Sequence, residues 1–208
     1  MISIAIPTGT LLEGSLDLLR RAGVADLAPE EIGRKLLVER DGFRVVLVKP
    51  ADVPAYVDHG SADVGIAGKD QLWESSGSHY ELLDLLFGEC RLIVAVPDAS
   101  PLGGPGTWPP SLRVGTKYGL ATEQYLGRLG QRAEIVHLHG SVELAPLVGL
   151  VDAIVDLTQT CRTLRENRLR IVDEVGCSTA RLIANQASLK TRTGAVQALV
   201  TRIREALG

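Results

Sequence analysis

The sequence predicts an α/β fold built around a mostly parallel β-sheet. Short runs rich in β-branched residues alternate along the chain with segments whose apolar residues recur at helical spacing. That order is typical of strand–helix–strand units. The 208 residues, 45% of them hydrophobic, are enough to bury the core of one large domain or of two small ones.

The predicted strands are short apolar runs bounded by glycine, proline or charged residues. In chain order they are ISIAIP, FRVVLVK, ADVGIAG, CRLIVAVP, LRVGT, AEIVHLHG, DAIVDL, LRIVDEV and ARLIAN. We expect GKD to form a turn after ADVGIAG. The stretch DASPLGGPGTWPP is dense in proline and glycine, and we expect it to be an exposed connection.

The predicted helices have an apolar stripe or a recognisable end. LLEGSLDLLRRAG carries leucines at helical spacing and ends at Gly23, and LATEQYLGRLG ends at Gly130. ADVPAYVDHG is predicted to be a short helix that Asp52 can cap, with Pro54 near its first turn. One amphipathic helix, KTRTGAVQALVTRIREALG, is expected to end the chain.

Charge and cysteine content narrow the classes of function. The formal net charge of −3 argues against a general nucleic-acid binder, which usually carries a basic excess. Cys90, Cys161 and Cys177 lack paired spacing, which fits a reducing compartment rather than a disulfide framework or a zinc motif. No secretory signal or membrane-spanning run is present, so we expect a soluble cytoplasmic protein without membrane or nucleic-acid partners.

The stretch DAIVDLTQTCRTLRENRL is a candidate phosphate-binding segment. A strand that ends near Leu157 and turns into a helix near Thr163 would direct free backbone N–H groups and the helix dipole at one spot. Threonine hydroxyls add donors, and Asp156 could accept hydrogen bonds from sugar hydroxyls at the carboxyl edge of the sheet. An ordinary threonine-capped corner has the same pattern, so the stretch alone leaves both interpretations open.

Cationic residues stand at the ends of several predicted strands. Lys69 follows ADVGIAG, Arg91 begins CRLIVAVP, and Lys117 with Tyr118 follows LRVG. Each cation could hold a phosphate, or be a solvated or salt-bridged side chain. His137 and His139 would share one face of a strand, but no third ligand has suitable spacing, so we interpret them as non-ligands.

The residues give little support to covalent catalysis. No Ser/His/Asp order and no catalytic-cysteine context is present. The set of cationic and hydroxyl groups at strand ends suits a site that binds phosphates and positions two substrates.

Several blocks of the sequence resemble the catalytic subunit of the ATP phosphoribosyltransferase family. In the family's order they are DVPAYVDHGSADVGIAGKDQLWE, CRLIVAVP, VGTKY, GSVELAPLVGLVDAIVDLTQTCRTLRENRL and STARLIANQASLKTR. The family signature falls here on Glu143, Gly149, Asp156, Thr160, Thr163 and Leu164. The chain resembles the short form of the family, which lacks a C-terminal regulatory domain.

The resemblance implies a two-lobed fold similar to periplasmic binding proteins of type II, with mixed, mostly parallel sheets and a cleft between the lobes. Residues 1–89 and 178–208 would form the first lobe, which holds both termini. Residues 90–177 would form the second lobe, which carries the loop for phosphoribosyl pyrophosphate.

The resemblance also implies the first step of histidine biosynthesis. N1 of ATP attacks C1′ of phosphoribosyl pyrophosphate and gives phosphoribosyl-ATP and pyrophosphate, with Mg²⁺ carried by the substrates. Glu143 is the candidate to contact the ribose or the Mg²⁺. The implied partners are a second copy of the chain and a regulatory subunit related to histidyl-tRNA synthetase. The chemistry is one of positioning and electrostatics, so no catalytic side chain is assigned.

Two sets of site residues follow from the resemblance. The expected ligands of phosphoribosyl pyrophosphate are Glu143, Asp156, Thr158, Thr160, Cys161, Arg162, Thr163 and Leu164. The candidate ligands of ATP or pyrophosphate are Gly9, Thr10, Gly68, Lys69, Arg91, Lys117 and Tyr118.

The sequence departs from the family pattern at the ligand-binding turns. Thr8-Gly9-Thr10 stands where the family usually has Lys-Gly-Arg, Cys161 stands where the phosphate loop usually has glycine, and Asn167-Arg168 replaces a usual Asn-Gly. Arg162 could compensate for lost charge or be an exposed surface arginine. The alternatives to a working enzyme are a binding-only relative that has lost turnover and a cytosolic solute-binding module of the same fold.

Overall fold

The computed structural model describes residues 1–27, 36–40, 42–104, 106, 108–109 and 111–208. They form two compact units. The terminal unit comprises residues 1–88 and 179–208, and the middle unit comprises residues 89–178.

The terminal unit is built on a six-stranded sheet with the order β2-β3-β1-β4-β11-β5. Its strands are β1 (Ile2–Pro7), β2 (Leu37–Arg40), β3 (Phe43–Val48), β4 (Val64–Gly68), β5 (Tyr80–Asp84) and β11 (Ala180–Ala184). Strands β1, β3, β4 and β5 run in one direction, and β2 and β11 run in the other. Within the described residues its α-helices are α1 (Leu12–Arg21), α2 (Val53–Asp58), α3 (Lys69–Trp73), α7 (Gln186–Thr191) and α8 (Thr193–Leu207).

The core of the terminal unit lies between this sheet and two amphipathic helices. Helix α1 buries Leu16 and Leu19, and α8 buries Val196, Leu199 and Ile203 in the same cluster as the strand residues. These residues recur every three or four positions, which places them on one face of each helix.

The middle unit is built on a five-stranded sheet with the order β10-β6-β9-β7-β8. Its strands are β6 (Cys90–Pro97), β7 (Arg113–Thr116), β8 (Glu134–His137), β9 (Ala153–Thr158) and β10 (Leu169–Ser178). Strands β7, β8, β9 and β10 run in one direction, and β6 runs in the other. The helices are α4 (Gly119–Arg128), α5 (Leu144–Leu147) and α6 (Arg162–Glu166). Most strands in each unit share a direction, but of the nine pairings between described strands four are parallel and five are antiparallel. The expected mixed sheets are confirmed.

Two predictions that concern helices differ from the structure. The expected GKD turn is wrong, because Lys69 begins helix α3. The expected single last helix is also wrong, because α7 and α8 are separated at Arg192. Asp52 occupies the position before α2 as expected, although its side chain makes no capping hydrogen bond.

The structure corrects two further expectations, one on the exposure of a loop and one on the extent of a strand. DASPLGGPGTWPP is not wholly exposed, since Trp108 is only 7% exposed and its indole N–H donates to the Gly103 carbonyl at 2.9 Å. The Trp108 ring packs against Tyr125 with ring centroids 6.5 Å apart. His139 does not share a strand with His137, because β8 ends at His137.

Within the described residues, no helix combines the length and apolar character that crossing a membrane requires.

Candidate active site

One edge of the middle unit's sheet brings together most of the predicted site residues. Strands β7, β8 and β9 run in parallel, so their carboxyl ends meet at this edge, with Thr116 opposite both His137 and Val155. Strand β6 runs the other way and begins there, which places Arg91 opposite Thr158. Lys117 and Tyr118 follow β7, Glu143 lies beyond β8, and Asp156 and the threonine loop are at the end of β9.

Asp156 is the most buried carboxylate at this edge. It is 9% exposed, and its Oδ1 accepts the Leu157 N–H at 2.9 Å. Burial raises the pKa of Asp156, the positive charge of Lys117 and the Leu157 N–H lower it, and the negative charge of Glu143 raises it. Lys117 and Glu143 therefore both lie close enough to Asp156 to act on its carboxylate electrostatically.

The threonine loop has the local geometry of a strand-to-helix corner. Thr158 Oγ1 accepts the Cys161 N–H at 3.0 Å, which closes the turn. Cys161 then adopts φ 57° and ψ 14°, in the left-handed region, and α6 begins at Arg162. The N–H groups of a helix's first turn have no partner within the helix, so this turn can offer donors to an anion.

The side chains of the loop point to different environments. Thr160, Arg162 and Thr163 are exposed, whereas Leu164 is buried in the core of the middle unit. Leu164 can therefore meet a ligand only through its backbone. Arg162 is 80% exposed and pairs with Glu166 at 2.8 Å along the helix, which is the geometry of a surface ion pair.

Arg91 lies beside the loop and has a carboxylate partner. Its Nη1 is 3.3 Å from Glu174 Oε2, and both side chains are about half exposed. Its Nη2 is 3.5 Å from the Cys161 sulfur. The guanidinium group therefore flanks the turn that the threonine loop makes.

The remaining predicted ligands belong to the terminal unit. Gly9 and Thr10 are exposed after β1, and Gly9 adopts φ 79°. Gly68 is buried at the end of β4, and a Cβ there would lie 2.3 Å from Asp70 Oδ1, so a larger residue would require the Asp70 carboxylate to move. Lys69 donates to Glu81.

Lys69 of the terminal unit is part of a network of ion pairs. Arg181 contacts Glu81 Oε1 at 3.1 Å and Asp84 Oδ2 at 2.9 Å. Thr179 Oγ1 donates to Asp84 Oδ1 at 2.8 Å. The two cations, Lys69 and Arg181, are thus balanced by two carboxylates, Glu81 and Asp84.

Sequence reasoning missed the residues that hold the predicted ligands. Glu174 lies 83 residues from Arg91, and Glu81 lies 12 residues from Lys69. Neither pairing is marked by a local motif. Thr116 was also missed, although a hydroxyl residue at the end of the apolar run LRVG was a usable signal. Among the described residues, no group of three or more His, Cys, Asp or Glu side chains is placed to hold a metal ion.

Comparison with known proteins assigns the family. A family model described as HisG: ATP phosphoribosyltransferase matches residues 49–205. The ATP phosphoribosyltransferase of Caldanaerobacter subterraneus subsp. tengcongensis is 43% identical over 209 residues, covering 100% of this chain and 98% of that protein. The chain belongs to the ATP phosphoribosyltransferase family. The two proteins correspond over nearly their full lengths, as expected of the short form of the family.

Solved structures confirm the fold expected of the ATP phosphoribosyltransferase family. A chain of the ATP phosphoribosyl transferase (HisG:HisZ) complex from Thermotoga maritima has a TM-score of 0.83 and 34% identity, covering 100% of this chain and 98% of that chain. The periplasmic aliphatic sulphonate binding protein SsuA from Escherichia coli has a TM-score of 0.64 and 13% identity, covering 99% and 68%. The second likeness concerns the fold alone, and the predicted resemblance to periplasmic binding proteins is confirmed.

The backbone at two departures from the family pattern retains a shape that favours glycine. Cys161 and Arg168, which replace usual glycines, adopt φ 57° and φ 53°. Most residues with a Cβ avoid this left-handed region, which costs about 1–2 kcal/mol per residue. The chain therefore adopts a backbone that favours glycine at these two positions, at a cost in conformational energy.

Substitutions at Cys161 test this geometry. Cys161→Val is expected to lower the free energy of unfolding by about 1–2 kcal/mol, because a β-branched residue is a severe outlier at positive φ. Cys161→Gly is expected to change it by less than about 1 kcal/mol, since the relieved strain is offset by the greater freedom of the unfolded chain. Urea unfolding measures both values.

The matched control is Cys177→Val, at an exposed position in strand β10, where a β-branched residue is readily accommodated. A Cys161→Val protein as stable as the Cys161→Gly protein would show that the left-handed backbone at this position carries no strain.

Proposed function

We propose that this chain joins N1 of ATP to C1′ of phosphoribosyl pyrophosphate, releasing phosphoribosyl-ATP and pyrophosphate in the first step of histidine biosynthesis. The observation that carries the proposal is the grouping of Asp156, Lys117 and Glu143 beside the threonine loop in a chain of this family. The reaction requires no nucleophile from the protein, because a nitrogen of one substrate attacks a carbon of the other.

The threonine loop is proposed to hold the 5-phosphate and the ribose. The backbone N–H groups of Arg162, Thr163 and Leu164 form the first turn of α6, and the exposed hydroxyl groups of Thr160 and Thr163 stand beside them. The Asp156 carboxylate would accept hydrogen bonds from ribose hydroxyls. Donors of this kind fix the sugar so that C1′ faces the incoming nitrogen.

Lys117 and Arg91 are proposed to bind the pyrophosphate. Both side chains are at least partly exposed at the sheet edge, so a ligand can reach them. Glu143 would hold Mg²⁺ jointly with the substrate phosphates, since one or two carboxylates plus phosphate oxygens is a usual ligand set for that ion. When bound, Mg²⁺ supplies charge neutralisation for the departing pyrophosphate.

In the terminal unit, Lys69 with Gly9, Thr10 and Gly68 is proposed to serve ATP or pyrophosphate. Lys69 already pairs with Glu81, so a phosphate ligand would compete with that carboxylate for the ammonium group. In the middle unit, Tyr118, next to Lys117, is proposed to contribute to the binding of ATP or pyrophosphate.

We further propose that the chain forms a homodimer and assembles with a regulatory subunit related to histidyl-tRNA synthetase in the cytoplasm. The support for the regulatory subunit is the 34% identity and the shared fold with a chain of the HisG:HisZ complex from Thermotoga maritima.

The test is to mix the pure chain with ATP, phosphoribosyl pyrophosphate and Mg²⁺, and to follow the ultraviolet absorbance of phosphoribosyl-ATP. Pyrophosphatase draws the reaction forward, and a second cuvette contains the histidyl-tRNA-synthetase-like partner. We expect product in at least one cuvette, and dependence on the partner would support the assembly. Flat traces in both, with calorimetric binding of the substrates, would instead identify a binding-only relative.

A further inference from the structure

A buried hydroxyl group joins the ends of two strands at the candidate active site. Thr116 is the last residue of β7 and is fully buried. Its Oγ1 donates to the Val155 carbonyl at 2.7 Å and accepts the Tyr118 N–H at 2.8 Å. Val155 directly precedes Asp156, and Tyr118 directly follows Lys117. One side chain therefore connects the two backbone segments that carry these charges.

A second buried threonine completes the arrangement. Thr122 is fully buried in α4, and its Oγ1 donates to the Tyr118 carbonyl at 2.6 Å. Tyr118 itself has φ −109° and ψ 65°, outside the helical and the extended regions. Two threonine hydroxyl groups thus contact the turn after β7, one at the Tyr118 N–H and one at the Tyr118 carbonyl, which also accepts the Thr122 N–H at 3.0 Å.

We propose that Thr116 is a positioning residue that holds Lys117 beside Asp156 for substrate binding. The inference rests on the proposed function, because it assigns the hydroxyl to the placement of a proposed substrate ligand. Without the hydroxyl, the Tyr118 N–H loses its hydrogen bond to Thr116 Oγ1, so the turn is less restrained and Lys117 can move away from the edge. Lys117 is exposed on a long flexible side chain, so its place depends on the backbone beneath it.

The experiment compares Thr116→Val, which keeps the shape and removes the hydroxyl, with Thr116→Ser, which keeps the hydroxyl. Each is made in the natural chain and in a Lys117→Met background, and kcat/KM is measured for ATP and for phosphoribosyl pyrophosphate. In the natural chain we expect Thr116→Val to lower kcat/KM about tenfold. A tenfold loss corresponds to about 1.4 kcal/mol of lost transition-state stabilisation. The loss in kcat/KM should appear for the same substrate whose kcat/KM is lowered by Lys117→Met.

Two outcomes distinguish positioning from general stability. In the Lys117→Met background Thr116→Val should cost less than about twofold, because residues that act through one another are non-additive. Thr116→Ser should recover activity to within about threefold of the natural chain, since the hydroxyl is restored. The matched control is Thr191→Val, an exposed threonine of α7 whose hydroxyl also donates to a carbonyl, and we expect no change.

Equal losses in both backgrounds, or no loss at all, would overturn the inference. So would a Thr116→Ser protein as impaired as Thr116→Val. If thermal unfolding shows that Thr116→Val does not fold, Thr122→Val tests the other bond to the turn and should show the same non-additivity with Lys117→Met. A natural chain without turnover refutes the proposed function, and the same cycle is then read as calorimetric affinity for phosphoribosyl pyrophosphate. A natural chain that also fails to bind it refutes both.

Discussion

Lys117→Met is expected to lower kcat/KM by about 100-fold, because a charge-assisted hydrogen bond contributes about 1.5–3 kcal/mol and 1.36 kcal/mol is a tenfold change. Lys117 is exposed at the carboxyl end of β7, where it acts on the buried Asp156. Methionine retains most of the length and removes the charge. Steady-state kinetics with each substrate varied in turn measures the loss and shows which substrate it affects.

The same substitution should change the pH dependence in a defined direction. Burial and Glu143 both raise the pKa of Asp156, and Lys117 is the strongest influence that lowers it. Removing Lys117 therefore moves that pKa upward, so the acid limb of the kcat/KM profile shifts to higher pH.

Lys190→Met is the matched control, because Lys190 is exposed in helix α7 of the terminal unit. We expect it to keep the natural activity and pH profile. If Lys117→Met behaves like this control, Lys117 has no part in substrate binding.

Asp63→Asn is expected to lower the free energy of unfolding by about 3 kcal/mol, the cost of breaking a buried charged network. Asp63 is 4% exposed and accepts hydrogen bonds from the Ser3 N–H at 2.8 Å and the Ser188 hydroxyl at 2.6 Å. Arg192 Nη1 lies 2.9 Å from its Oδ2. The carboxylate thus joins β1, the start of β4 and the junction of α7 with α8. Urea unfolding measures the change.

The stabilisation that the Asp63 carboxylate gives to the fold should disappear at low pH. Burial opposes its ionisation, but hydrogen bonds from Ser188 and Ser3 and the charge of Arg192 bring its pKa below the usual 3.8. A lowered folded-state pKa stabilises the fold fully above pH 3.8, and this stabilisation is lost as the pH falls through the folded-state pKa. The stability difference between the natural chain and Asp63→Asn should therefore shrink below that pH.

Asp17→Asn provides the comparison, because Asp17 also pairs with an arginine, Arg20, but on the exposed surface of α1. Its substitution should leave the midpoint of unfolding close to that of the natural chain. An Asp63→Asn protein that unfolds at the same urea concentration as Asp17→Asn would show that the buried network does not stabilise the fold.

The sequence predicted best the elements that have a strong local pattern. Strand β1 is apolar except at Ser3, strand β9 begins with the apolar run 153–155, and α1 has leucines at helical spacing. Strand β2 was not predicted because its residues are mostly exposed and show no alternation. The break at Arg192 was also missed, because the arginine's partner, Asp63, lies 129 residues away in the sequence.

The candidate site was also predicted best where its residues are adjacent in the sequence. The threonine loop and Asp156 were recognisable, since a strand end, hydroxyl residues and a helix start are adjacent in the sequence. The ion pairs of Arg91 with Glu174 and of Lys69 with Glu81 were not, because each partner is supplied by a separate strand. The left-handed backbone at Cys161 was also hidden, since cysteine is a residue that seldom adopts it.

The position of β11 has a consequence for the order in which the protein folds during synthesis. This strand follows the whole middle unit in the chain, yet it lies between β4 and β5 in the terminal unit's sheet. Until β11 emerges from the ribosome, β5 has no neighbour to pair with, although its own residues were made long before. The middle unit, which is continuous in sequence, is free of this delay. We therefore expect it to acquire protection from proteolysis first on a stalled nascent chain, ahead of the terminal unit.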